Sequence, residues 1–287
     1  MTERPAGRNV YGLRVRGLDR IPELPVADGP PDDRPVVRIR WSAAPPDEPA
    51  EGGAGDRGDR DRCVRVLADG RRVTLDRRAG TATFHGPPAP PDLLPHPYLA
   101  SVATVVNRWA GREVFHAGAF VAAGLVWPVL GPRTAGKSSL LAALAADSVP
   151  IVADDILVSD GEVGYAGPRC LDLREPVPGL PRDGTLVRHR TRLRIPLPPV
   201  PDRLPVGGWF FLHWGAAPEL CPIGAVDLLP RLAALRFWPD HPSDPAALLA
   251  LATRPGWDLT RPRDWTALPH SRRLVDTAIS GAAGVPA

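Results

Sequence analysis

The chain contains a single lysine. Lys137 lies in "GPRTAGKSSLLAALA", and every other Lys/Arg position is arginine. Gly131, Pro132, Arg133, Thr134, Ala135, Gly136, Lys137 and Ser138 satisfy G-x-x-x-x-G-K-[ST] in full, and Ser139 follows. An apolar run, "LVWPVL", precedes the pattern and an apolar-periodic run, "SSLLAALAA", follows it, so the stretch reads as strand, glycine loop and helix. No other segment restricts the fold as much. A strand must deliver the chain to a curled loop, and a helix must leave that loop with its N-terminus at the curl. Glycines let consecutive backbone N–H groups turn toward phosphate oxygens. Lysine then reaches the β- and γ-phosphates, and the Ser138 hydroxyl can ligate Mg²⁺. The competing reading is an ordinary glycine turn before a helix, with an incidental lysine.

Asp154 and Asp155 close the apolar run "VPIVA". Adjacent carboxylates after a buried strand repel each other and lose hydration. A divalent cation beside them offsets both costs, whereas an Asp-Asp turn in solvent needs none, and on the residues alone both readings stand. Arg188, Arg190, Arg192 and Arg194 alternate in "RHRTRLRIPLPP", so an extended segment would project them from one face. They are either cations for a phosphoryl group or a solvated basic edge. His116 sits among apolar residues and reads, by itself, as a core histidine. His85, His96, His189, His213, His241 and His270 have no metal-ligand spacing.

Residues 114–174 resemble the catalytic domain of the HPr kinase/phosphorylase family, P-loop enzymes that phosphorylate a serine hydroxyl. The likeness is carried by "FHAG" at 115–118, by the glycine loop, by "ADD" at 153–155 and by "LDLR" at 171–174. The last stands where the family has Glu-x-Arg, with Asp172 in place of the glutamate and Glu175 in place of the glycine that follows. Arg133 and Thr134 replace commoner small residues. The regulatory N-terminal domain of the full-length enzymes is not recognisable in residues 1–100, so the chain is more like a short stand-alone relative, of the kind that tailors peptides. The resemblance implies ATP and Mg²⁺ as cofactors and a serine or threonine of a peptide or small protein as acceptor. It implies Asp154 as general base, Lys137 and His116 at the phosphates, and Asp155 and Asp172 with Ser138 around the metal. It also suggests a homo-oligomer. A small-molecule alcohol is the second choice of acceptor, and a nucleotide-binding switch without transfer is the rival from another class.

The expected fold is α/β: a P-loop core with a mixed sheet at residues 96–200, after a β-rich N-terminal region at 1–95 and before a C-terminal strand and helices, ending in a short helical tail, at 201–287. Period-two runs predict strands at "NVYGLRVRG", "RPVVRIRWSA", "RCVRVLADG", "RRVTLDRRAG" and "TATFHG", with an Asp-Gly hairpin in "LADGRRVTL". The polar stretch near 45–62 has almost nothing to bury and is expected to be a mobile loop. Arginines interleaved with aspartates at a formal charge of +3 leave no dense basic block for nucleic acid. No apolar run reaches the ~20 residues that span a bilayer, and the N-terminus lacks the apolar core of a signal peptide. Cys63, Cys170 and Cys221 fit neither a disulfide scaffold nor a zinc site. The expected setting is the cytoplasm, with no membrane and no nucleic-acid partner.

Overall fold

The computed structural model describes residues 7–27, 33–46, 57–58, 61–178, 184–238 and 243–283. "NVYGLRVRG", expected as one strand, turns back at Tyr11 and Gly12, whose φ values are 53° and 72°. It forms β1 (Arg8–Val10) antiparallel to β2 (Leu13–Arg16). β3 (Val36–Ser42), β4 (Arg57–Gly58), β5 (Arg62–Val66), β6 (Arg72–Asp76) and β7 (Thr81–His85) complete a sheet ordered β1-β2-β3-β7-β6-β5-β4. The expected Asp-Gly hairpin joins β5 to β6, pairing Val66 with Arg72, and Gly70 supplies the positive φ that such a turn needs. Of the expected mobile loop at 45–62, residues 47–56 and 59–60 lie outside the described residues, and β4 pairs with β5. Leu13, Val15, Ile39, Val73 and Phe84 form one apolar cluster with Leu99, Val102 and Val105 of α1 (Leu99–Trp109). That shared cluster ties the N-terminal sheet to the rest of the molecule.

Two stretches of extended backbone are each split between two sheets. "EVFHAGAFVAAG" becomes β8 (Glu113–Phe115) and β9 (Gly118–Ala122), followed by β10 (Leu125–Leu130). After α2 (Lys137–Ala146), "VPIVADDILVSDG" becomes β11 (Ile151–Ala153) and β12 (Leu157–Ser159). On one side of the break Ala119 pairs with Ala153, and on the other Phe115 pairs with Leu157. Both chains therefore bend at the same place, and Asp155 takes φ 67° to make the bend. β13 (Val163–Tyr165), β14 (Cys170–Leu173), β15 (Thr185–Val187), β16 (Arg192–Pro196) and β17 (Arg203–Pro205) are short. Strand order is β17-β13-β12-β8 in one sheet and β14-β16-β15 in another.

β18 (Trp209–Trp214), β19 (Glu219–Ile223), α3 (Ala225–Ala234), α4 (Pro245–Ala252), β20 (Gly256–Arg261) and α5 (Leu268–Ala283) complete the chain. The central sheet runs β11-β9-β10-β18-β20-β19, with β10, β18 and β20 mutually parallel and β9 and β19 antiparallel to their neighbours. The architecture is thus mixed α/β, as expected. The single strand expected at the C-terminus is three, because "ELCPI" and "GWDLTR" find partners only in this sheet. α2 and α5 lie in one apolar cluster, where Leu140, Leu141 and Leu144 meet Val275, Ala278 and Ile279. Full burial of a leucine, isoleucine or valine side chain contributes ~1.5–3 kcal/mol. A Cβ on Gly118 would stand 2.3 Å from a Leu141 methyl, so α2 packs directly on β9. Among the described residues, no helix is long and apolar enough to cross a membrane.

Candidate functional site

The loop leaves β10 at Gly131 and enters α2 at Gly136, with φ 149° and 80°, and Thr134 between them is also left-handed at 71°. Lys137 folds back inside the curl and donates from Nζ to the carbonyls of Gly131 at 2.8 Å and Pro132 at 3.2 Å. Burial lowers the lysine's pKa, against the opposing pull of Asp155 and Asp154. The loop is braced from the neighbouring strands. Arg261, at the end of β20, donates to the carbonyls of Ala135 and Gly136 at 3.0 and 2.6 Å, and Trp214, at the end of β18, donates to Thr134 O at 3.1 Å. A Cβ at Gly136 would meet the Arg261 guanidinium at 2.4 Å and the Trp214 ring at 2.9 Å, so the second motif glycine is required by space as well as by φ. The N-terminus of α2 carries no side-chain cap. Its first N–H groups have no intrahelical partner, and the helix dipole favours an anion there.

The shared bend of β8–β9 and β11–β12 puts His116, Asp154 and Asp155 beside this loop. Ser138 Oγ donates to Asp154 Oδ1 at 2.9 Å, so of the two carboxylates it is Asp154 that faces the motif serine. Asp155 lines a cavity of about 740 Å³ together with His116, Lys137, Ser138 and Arg188. His116 Nδ1 lies 3.0 Å from the Asp155 carbonyl, which can only accept, so the proton is on Nδ1 and Nε2 is the free lone pair. Burial, and then the charge of Lys137, lower its pKa and keep the ring neutral. Asp154 is pushed up to about 7, first by burial and then by Asp155. Burial pushes Asp155 upward too, but His96, Arg188 and His116 outweigh it and hold the carboxyl below its usual range.

Asp172, expected at the metal, is occupied otherwise. Arg194 grips both its oxygens at 2.7 and 2.9 Å, Arg188 Nε stands 2.9 Å from Oδ2, and Glu23 holds the far end of Arg194 at 2.9 Å. With both oxygens paired to guanidinium groups, Asp172 is a clamp for arginines in this arrangement. The arginine run is not one extended face either. Arg188, His189 and Arg190 all have φ between 52° and 62° and form the turn between β15 and β16, while only Arg192 and Arg194 share a strand. Among the described residues, no three His, Cys, Asp or Glu side chains converge as a ready metal-ligand set. Mg²⁺ does not require one, since it keeps waters and takes one or two carboxylates plus phosphate oxygens. Ser138 with the adjacent carboxylates fits that donor set.

Several site residues had no signal in the sequence. Tyr11 and Glu23 come from the N-terminal region, and His96 from the turn just beyond it. His96 is fully buried, 3.3 Å from the Tyr11 hydroxyl and 3.8 Å from Asp155 Oδ2. Trp214 and Arg261 come from strands 80 and 125 residues beyond the loop atoms they hold. His241 lies outside the described residues.

Asp154 makes the protein without nucleotide or metal sensitive to pH. Folded, it holds its proton to about pH 7, while the unfolded chain loses it near pH 4. Between those values the folded state binds more protons, so stability falls as pH rises. Asp154→Asn should match the parent near pH 4 and exceed it by roughly 1–4 kcal/mol at pH 8. Urea titrations of both proteins at the two pH values check this, and equal stability at pH 8 refutes it.

No family model matches the chain, and no curated protein matches it. Among solved structures it is similar to the Hpr(Ser) kinase/phosphatase from Coxiella burnetii, with 14% identity and a TM-score of 0.33, over 60% of this chain and 99% of that one. A likeness at that level assigns no activity.

Proposed function

We propose that the chain is a phosphotransferase that moves the γ-phosphoryl group of a nucleoside triphosphate, such as ATP, to the hydroxyl of a serine or threonine in a peptide or small protein. The observation that carries this reading is the bend, which sets two carboxylates of unlike protonation and a neutral imidazole beside a lysine-bearing glycine loop. Phosphoryl transfer asks the protein mainly for positioning and charge stabilisation. Lys137 and the α2 N-terminus hold the phosphates, with His116 beside them. Mg²⁺, when bound, neutralises charge on the phosphates, and Ser138 with Asp155 would hold it. Asp154 takes the proton of the acceptor hydroxyl, a role suited to a carboxyl whose pKa lies near neutrality. Arg188, tied to Asp155 and Asp172, supplies a cation at the cavity wall.

A second assignment exchanges the two aspartates. It is favoured by the fact that Asp155, rather than Asp154, lines the cavity, and paired asparagine variants separate the two. For the reaction itself, the protein is incubated with γ-labelled ATP·Mg²⁺ and a degenerate serine/threonine peptide library, with small polyols in parallel. Label in peptide is the expected result. Label in polyols alone moves the acceptor to the small-molecule class. Tight binding without transfer to any hydroxyl overturns the kinase in favour of a nucleotide-binding switch.

A further inference from the structure

The cavity continues past the phosphate loop to a wall that the chemistry above does not use. β10, β18 and β20 run parallel, so the loop, Trp214 and Arg261 all lie at their carboxyl ends. In open α/β sheets that is the edge where ligands bind. The wall there is built by Trp214, Arg263, Trp265 and Leu268. Two of these indoles are oddly placed for tryptophan. Trp109, Trp127, Trp209, Trp238 and Trp257 pack in apolar clusters, and Trp41 stacks on Phe84 at 5.0 Å. Among the described residues, Trp214 and Trp265 do neither, yet both line the cavity, and Trp265 is 39% exposed. Arg261 and Arg263 lie 4.7 and 5.1 Å from the Trp214 ring centre, which fixes two guanidinium groups against an indole at this wall.

The geometry points to a stacking subsite for the purine base of a nucleotide, formed by Trp265 and the Arg263–Trp214 pair. This rests on the reading of the glycine loop as the phosphate site and adds what holds the other end of the donor. Flat π-faces and guanidinium planes accept any purine. Edge readout is a separate matter. Asp264, the carboxylate of this segment, accepts from Thr266 N at 2.9 Å and Thr266 Oγ1 at 2.6 Å, so both its oxygens are engaged by the turn that carries Trp265. Each oxygen keeps a second lone pair, but Thr266 holds the carboxylate in its own turn, so it does not swing to follow a base edge. The subsite selects purine by stacking area and separates adenine from guanine weakly.

Trp265→Ala is the test, because the side chain is exposed and the Asp264–Thr266 bonds that shape its turn remain. Calorimetric Kd values are measured for Mg·ATP, Mg·GTP and Mg·tripolyphosphate on the parent, Trp265→Ala and Trp265→Phe. The parent should bind ATP about ten- to a hundredfold more tightly than tripolyphosphate, the usual worth of stacking one base. GTP should fall within a few-fold of ATP. Trp265→Ala should lose most of the advantage of ATP with tripolyphosphate unchanged, and Trp265→Phe should keep most of it. Unaltered ATP affinity in Trp265→Ala, or tripolyphosphate binding as tight as ATP in the parent, overturns the subsite and leaves the phosphate loop standing. If the parent binds neither ligand, the loop reading fails and this inference fails with it.

Discussion

Lys137→Ala is expected to abolish phosphoryl transfer, and to weaken triphosphate binding by about 10²-fold or more, the scale for losing a charged donor aimed at developing charge in a water-poor site. The fold should survive. Lys137 is 8% exposed and burial already disfavours its charge, which offsets part of the loss of its bonds to the Gly131 and Pro132 carbonyls. Lys137→Arg should fail as well. Nζ sits 2.8 and 3.2 Å from two carbonyls inside the curl, and a planar five-donor fork cannot take the place of a point charge there. Calorimetry with Mg·ATP and transfer assays on the same preparations, with thermal melts as the folding control, measure all of this. Parent-like transfer in the arginine variant would mean that the loop does not hold the phosphates.

The second large effect falls on the aspartate pair. Asp154→Asn should leave ATP·Mg²⁺ binding nearly intact while transfer drops by about 10²–10⁴-fold, the usual worth of a general base. The lower end is expected, because a loose transition state removes the hydroxyl proton late. Asparagine can still accept from Ser138, so the loop contact is retained. Asp155→Asn should instead raise the Mg²⁺ concentration needed for half-maximal rate, and it also removes the carboxylate that meets Arg188. Rates across a Mg²⁺ titration distinguish the two variants. If the phenotypes are exchanged, the roles of the two residues are exchanged. If Asp154→Asn and Asp155→Asn both transfer as the parent does, neither is catalytic.

The N-terminal region also reaches the surroundings of the carboxylates. Residues 1–95 read as an extension with its own strands, and nothing in their pattern joins them to the carboxylates. Yet Tyr11 occupies the turn between β1 and β2 and donates its backbone N–H to Ala166 at 2.7 Å, while its hydroxyl meets His96. Glu23 holds the arginine that holds Asp172. Each is a lone polar residue in a loop or turn, with no spacing in the sequence that marks it.

Local features of this protein were legible because their physics is local. The glycine loop, helix α2 and the Asp-Gly hairpin each follow from dihedral freedom and side-chain periodicity over about ten residues. What the sequence could not determine lies in the breaks. The carboxylates after "VPIVA" mark the end of one strand, but only pairing on both sides shows that the extended chain resumes in another sheet beyond His116 and beyond Asp154–Asp155. The same holds for α5, whose apolar face is diluted by Arg272, Arg273 and Asp276 until α2 offers it a surface. The choice between Asp154 and Asp155 as the partner of Ser138 is likewise tertiary. Only one of the two adjacent residues bonds the Ser138 hydroxyl, and which one does depends on a φ that burial and pairing impose, not on the identity of either side chain.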